Sequence, residues 1–206
     1  MITYEDKLNR DISWALNEGG LHFERDSLVH QTLRRIAKRL DELGIAYALV
    51  GGMAMFFHGY RRFTEDVDLL VTREGLTKLH EELDGRGYVP PFEGSKNLRD
   101  TETGVRIEFL IAGHYPGDGK PKAVAFPDPS DSVELEGIQC VGLARLIELK
   151  LASGTAAWRR RDLSDVQDLI RTLKLPLEFA GQVDLTLRES FIQLWHETHE
   201  APSGEI

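Results

Sequence analysis

Apolar residues recur at helical spacing from the start of the chain. Leu8, Ile12 and Leu16, four residues apart, predict an amphipathic helix over 4–18, broken at Gly19-Gly20. A longer helix is expected from Asp26, as N-cap, to Leu43, with Leu33, Ile36, Ala37, Leu40 and Leu43 inward. Arg34, Arg35, Lys38 and Arg39 lie mostly off that stripe and read as a solvated face rather than an RNA contact. After Gly44 the period changes. Residues 45–50 read as a strand, 53–58 as a short helix and 66–71 as a second strand. Thr72 can cap a helix to Leu83 with Leu76, Leu79 and Leu83 inward, and Tyr88-Val89 begins another extended segment stopped by Pro90-Pro91. Residues 92–104 read as a loop or hairpin. Over 105–111, Val105, Ile107, Phe109 and Ile111 face one way and Arg106, Glu108 and Leu110 the other. Residues 112–131, rich in Gly and Pro, predict turns, and 132–135 with 138–141 a short hairpin. From Gly142 the pattern is helical nearly to the end: Leu143, Leu146, Ile147 and Leu151 to a break at Ser153-Gly154, then 163–173, then 183–197 after Pro176. A boundary is expected near 141, dividing a core of 1–141 from a helical region of 142–206 packed on it.

Chemistry concentrates in 49–71, LVGGMAMFFHGYRRFTEDVDLLV. Alternate strand residues point the same way, so Asp66 and Asp68 project together while Val67 faces the core. Two ionised carboxylates so close repel, and a cation between them relieves the repulsion. Mg²⁺ fits, because it takes oxygen ligands and shares them with substrate phosphates. The Gly51-Gly52 turn lets backbone approach a ligand without a Cβ in the way, and the following helix would direct free N–H groups at a phosphate. That combination predicts phosphoryl or nucleotidyl transfer. An Asp-x-Asp pair alone is weak, since glycosyltransferases also hold a metal with such pairs.

Gly51-Gly52, His58-Gly59, Arg62, Thr64 and Asp66-Val67-Asp68 resemble the signature of DNA-polymerase-β-like nucleotidyltransferases, most closely the AbiE-type abortive-infection toxin branch. The resemblance covers 49–111 well and 143–169 more loosely. It implies an α/β (α+β) fold, a small mixed β-sheet flanked by helices with a helical C-terminal part. It also implies a third acid on a neighbouring strand, for which Glu108 is the positional match; the plain alternative is a solvent-facing residue of a half-exposed sheet. The site expected is therefore Asp66, Asp68 and Glu108 as catalytic and metal-holding residues, with Gly51, Gly52, Arg62, Lys150, Asp162 and Asp165 around the nucleotide. Lys150 and the Arg161-Asp162-x-x-Asp165 run resemble the toxin branch, where such helices close over the nucleotide. Asp162 and Asp165 share a helix face and can hold Lys150 or an arginine, take part in chemistry, or merely compensate the helix dipole. Arg62 either binds phosphate or holds the acid strand; Thr64 reads as structural, His58 as a residue near a helix C-terminus, and Arg159-Arg160-Arg161 as solvated charge. One departure stands out: the superfamily usually has serine after the first glycine, where this chain has Gly52.

Composition changes little in this picture. The chain has 206 residues, 41% hydrophobic and 29% charged, with 34 acidic against 25 basic residues and a formal net charge of −9. That is ordinary for a soluble globular protein, and the acidity argues against a broad nucleic-acid-binding surface. Cys140 is the only cysteine, so no disulfide forms within the chain. The first residues lack a basic region followed by an apolar one, and no apolar run approaches the ~18 residues that span a membrane, so a cytoplasmic protein without membrane partners is expected. Histidines show no metal-ligand spacing, which argues against zinc. The expectation is a Mg²⁺-dependent nucleotidyltransferase, with Mn²⁺ as substitute. It would take a nucleoside triphosphate and an acceptor hydroxyl on a tRNA end, a protein or a small molecule; the resemblance to the AbiE-type branch implies the setting of a toxin with an antitoxin partner. The alternative is a non-catalytic nucleotide-binding or protein-interaction module on the same fold.

Overall fold

Side-chain caps set where several helices begin. Thr3, Asp11, Ser27 and Thr72 each accept a bond from a backbone N–H in the first turn of α1 (Tyr4–Arg10), α2 (Ile12–Phe23), α3 (Leu28–Glu42) and α5 (Arg73–Leu83). The computed structural model describes residues 2–156 and 159–200. Between α3 and α5 lie β1 (Tyr47–Leu49), α4 (Gly51–Phe57) and β2 (Asp66–Val71). Then follow β3 (Tyr88–Val89), β4 (Leu98–Asp100), β5 (Arg106–Ile111), β6 (Val133–Leu135) and β7 (Ile138–Cys140). Helices α6 (Leu143–Gly154), α7 (Arg161–Leu173) and α8 (Leu185–Glu200) complete the order, with a 3₁₀ segment at Leu177–Gln182.

The strands make one seven-stranded mixed sheet in the order β3-β4-β5-β2-β1-β7-β6. β2 lies antiparallel to β1 and parallel to β5; β1 also pairs in parallel with β7. Both central strands are apolar on the core side: Val67, Leu69 and Val71 of β2 and Ile107 and Phe109 of β5 are fully buried. Helices α3, α4 and α5 pack on this sheet, and α6 joins α4 to α7 and α8. The fold is thus mixed α/β, a small mixed sheet flanked by helices, with helices making up the C-terminal part. Among the described residues no helix is long and apolar enough to cross a membrane.

The N-terminal segment differs from expectation. Two helices replace the one expected over 4–18, and the break falls at Asp11, whose carboxylate caps α2 through Trp14 N at 3.0 Å. Helix α2 then runs through Gly19-Gly20, although each glycine costs about 1 kcal/mol against alanine. Tertiary contacts outweigh that cost. Buried Glu18 accepts from Leu28 N at 2.6 Å and the Tyr4 hydroxyl at 3.1 Å. Buried His22 sits in an aromatic cluster with His30, Phe56 and Phe63. The polar face therefore turns inward, and Ile12 and Leu16, expected inside, are 76% and 74% exposed. Ser27 rather than Asp26 caps α3, residues 92–104 contain strand β4, and the 3₁₀ segment after Pro176 was not expected.

Candidate active site

Strand direction assembles the site. Because β1 and β2 are antiparallel, the end of β1 lies beside the start of β2, and Val50 N donates to Asp68 O at 3.0 Å. Gly51, the next residue, has φ +65°, a left-handed conformation that glycine adopts without a Cβ penalty. A Cβ there would stand 1.8 Å from Asp68 Oδ2, so the carboxylate occupies the space that any other residue would fill. Because β2 and β5 are parallel, Asp66 is opposite Arg106 and Asp68 opposite Glu108. All three acids therefore face one side of the sheet and line a cavity of about 1400 Å³ with Gly51, Gly52, Arg62, Lys150, Asp162 and Asp165. Every sequence-expected site residue lines this one space.

The acids are not equivalent. Burial, then the charges of Asp66 and Glu108, push the Asp68 carboxyl well above the usual carboxylate range, while Lys150 and Arg159 pull the other way. Thr64 Oγ1 donates to Asp66 Oδ1 at 3.0 Å, and Arg106 Nη2 donates to Asp66 Oδ2 at 3.2 Å. The same Nη2 lies 3.1 Å from Glu108 Oε1. As they stand, no three His, Cys, Asp or Glu side chains among the described residues form a ready cage for a metal. The donor set nonetheless suits a hard divalent cation: three carboxylates converge, one of them destabilised as a charge by the other two. Asp66, Asp68 and Glu108 are the residues that would hold Mg²⁺.

Across the cleft, α6 and α7 bring a second charge set. Buried Lys150 Nζ lies 3.1 Å from Asp162 Oδ1 and 2.5 Å from Asp165 Oδ2. Arg159 Nε donates to Asp162 Oδ2 at 2.9 Å, and Arg62 Nη2 reaches Asp165 Oδ2 at 3.3 Å. Burial opposes the Asp162 charge, but Lys150, the Ser153 hydroxyl and Arg159 outweigh it and hold its carboxyl below the usual range. Lys150 is therefore a paired charge rather than a free one, and in this cluster Lys150, Arg62 and Arg159 contact two carboxylates. Arg62 ties the loop before β2 to α7 instead of to the acid strand.

Two contributors escaped the sequence reading. Arg159, taken as solvated, contacts Asp162 one helical turn on. Arg106 stands between two of the acids; its place two residues before Glu108 on the same strand face was the available signal. The Gly52 departure has a local cause. A Cβ at 52 would meet Thr64 Oγ1 at 2.8 Å and approach Arg62 Nη2 to 3.3 Å, so these side chains fill the region where a serine would sit. His58 caps the end of α4, and its Nε2 bonds the Val141 carbonyl at 2.8 Å.

Gly51→Ala tests the turn. A left-handed non-glycine residue costs about 1–2 kcal/mol, and the new Cβ must also displace Asp68. Thermal unfolding is expected to show a destabilisation of at least about 2 kcal/mol. A variant as stable as the parent would show that Gly51 and Asp68 are not packed as described.

No family model matches the chain, and no curated protein matches it. Similar solved structures include the antibiotic-resistance factor ANT(2'')-Ia in solution, at 12% identity over 82% of this chain and 91% of that one, with a TM-score of 0.48. The crystal structure of ANT(2'')-Ia with adenylyl-2''-tobramycin is similar at 12% identity over 82% and 97%, TM-score 0.48. A nucleotidyltransferase-like protein from Paracoccidioides brasiliensis is similar at 16% identity over 82% and 88%, TM-score 0.46.

Proposed function

We propose that the chain is a divalent-metal-dependent nucleotidyltransferase that moves a nucleoside monophosphate from a nucleoside triphosphate to a hydroxyl acceptor. The observation that carries this reading is the meeting of Asp66, Asp68 and Glu108 on adjacent parallel strands, against a left-handed glycine whose missing side chain makes room for Asp68. Bound Mg²⁺ would supply charge stabilisation at the reacting phosphate. The acceptor oxygen forms a bond to the α-phosphorus, the bond to the bridging oxygen breaks, and pyrophosphate leaves with that electron pair. Glu108 takes the hydroxyl proton on a carboxylate oxygen. The surplus cation of the Lys150, Arg62 and Arg159 cluster faces the departing pyrophosphate, and Gly51 and Gly52 line the same cavity. A cavity of about 1400 Å³ exceeds the about 300–1,000 Å³ of a single small-molecule site and leaves room for nucleotide and acceptor together.

The acceptor is a tRNA end, a protein hydroxyl or a small molecule. A toxin held in check by an antitoxin is the biological setting proposed, and it rests on the sequence resemblance to the AbiE-type branch. The test incubates purified chain with each α-labelled nucleoside triphosphate, Mg²⁺ or Mn²⁺, and in turn total tRNA, cell protein and a small-molecule extract. Metal-dependent transfer of label to one pool, with pyrophosphate released in equal amount, is the expected result. Absence of transfer to every pool would reject the proposal.

A further inference from the structure

Among the described residues, Arg106 is the one cation in contact with the acids on the sheet face. Both Asp66 oxygens are already engaged, Oδ1 by Thr64 and Oδ2 by Arg106, and Glu108 Oε1 is engaged by the same guanidinium nitrogen. Asp68 alone has no ion-pair partner among the described residues, so an arriving cation meets it first. To gain Asp66 or Glu108 as well, the cation must compete for the oxygens that Arg106 holds, and its own charge repels the guanidinium. A second acid stands ready on the other side. Glu5, from α1, approaches Arg106 Nε to 4.0 Å and is itself held by Arg99 at 2.8 Å. Arg99 and Arg106 are register neighbours on β4 and β5, so Glu5 lies across both. The buried Arg106 Nε has no hydrogen-bond partner among the described residues, which leaves that edge of the guanidinium free to close on Glu5.

We propose that Arg106 is the resident occupant of the divalent-cation position, bridging Asp66 and Glu108 in the metal-free protein and moving to Glu5 when the cation binds. This rests on the reading of Asp66, Asp68 and Glu108 as metal ligands. The guanidinium offsets part of the charge of Asp66 and Glu108 while the site is empty, at the expense of metal affinity. It also links the N-terminal helix to the state of the site, since Glu5, already paired with Arg99, gains Arg106 as a second close partner in the loaded form.

The test is Mn²⁺ binding to the full, nucleotide-free chain, read from the electron paramagnetic resonance signal of free Mn²⁺. Arg106→Met keeps the bulk of the side chain and removes the competitor, and is expected to tighten Mn²⁺ binding about tenfold. Arg106→Lys, which keeps the charge but loses the fork, should fall between. Glu5→Gln, which removes the receiving acid, should weaken binding about two- to threefold. In a chelator Arg106→Met should melt below the parent, and Mn²⁺ should raise its melting temperature by more than it raises the parent's. That second readout serves even where the variant is only partly folded without metal. Unchanged or weaker Mn²⁺ binding by Arg106→Met overturns the proposal. Asp68→Asn separates the two levels. If it abolishes Mn²⁺ binding while Arg106→Met fails to tighten it, the role given to Arg106 is wrong and the metal site stands. If Asp68→Asn leaves Mn²⁺ binding intact, the metal-site reading itself is wrong and the Arg106 proposal goes with it.

Discussion

Asp68→Asn is expected to lower nucleotide transfer by about a thousandfold or more, while the metal-free protein becomes more stable. The two effects share a cause. Asp68 sits at the foot of the cleft, where burial and the neighbouring Asp66 and Glu108 all disfavour its charge. On the proposed function that charge is the one most in need of a cation, so its loss would remove a ligand that no neighbour replaces. In the metal-free fold the same charge is a liability, and an isosteric neutral amide removes it. The pH dependence has a definite sign. An acid whose folded pKa is raised stabilises the fold at pH below its unfolded value of about 4, and that contribution disappears as pH rises through the raised folded value. The advantage of Asp68→Asn in a chelator should therefore be larger at pH 7 than at pH 4. Paired measurements of labelled-nucleotide transfer and urea unfolding in a chelator check it. Full transfer activity, or lower stability than the parent at pH 7, would contradict the described environment of Asp68.

Lys150→Met should be the most destabilising single change in the cleft, at roughly 3 kcal/mol. Lys150 bridges Asp162 and Asp165, both nearly buried, and methionine leaves two carboxylates facing each other in a poorly solvated place. Arg159 and Arg62 still reach one acid each, which keeps the loss from being larger. Acid sensitivity should change as well. The Asp162 carboxyl is held below its ordinary value, so the stability it contributes is present above pH ~4 and is lost as pH falls through the depressed folded pKa. Without Lys150 that loss begins at higher pH. Urea unfolding of Lys150→Met beside Lys150→Met/Asp165→Asn checks the cause, and the double variant should recover a substantial part of the lost stability. A single variant within about 0.5 kcal/mol of the parent would mean that the three-residue bridge contributes nothing.

Legibility in the sequence followed the range of the interactions. Thr72 as the cap of α5, the apolar face of α3 and the alternation of β5 are local patterns, and each was readable. Helix α2 was misread because its inward face is polar. Glu18 and His22 are accepted inside only through partners contributed by Tyr4, Leu28 and the loop at Arg62, which no local period reveals. For short β4 the sequence left loop and hairpin open over 92–104, and the pairing with β3 and β5, rather than the propensity of its three residues, decided for the strand.

By itself the sequence determined that Asp66 and Asp68 share one side of a strand and that a short helix follows the strand before them, although that helix begins at Gly51 rather than near Met53, so the glycines are its first residues; alternation and turn chemistry are properties of neighbouring residues. It also pointed to Glu108 as the acid to join them. Only the tertiary structure decided that Gly51 closes on Asp68, that Arg106 stands between Asp66 and Glu108, and that Lys150 is already spoken for by Asp162 and Asp165. Those facts depend on which strands pair, in which direction and register, and on which charges then face each other across a cleft. Such pairings join residues 12 positions apart, as Lys150 and Asp162, or 40, as Asp66 and Arg106, and their energies arise only once water has been excluded between them.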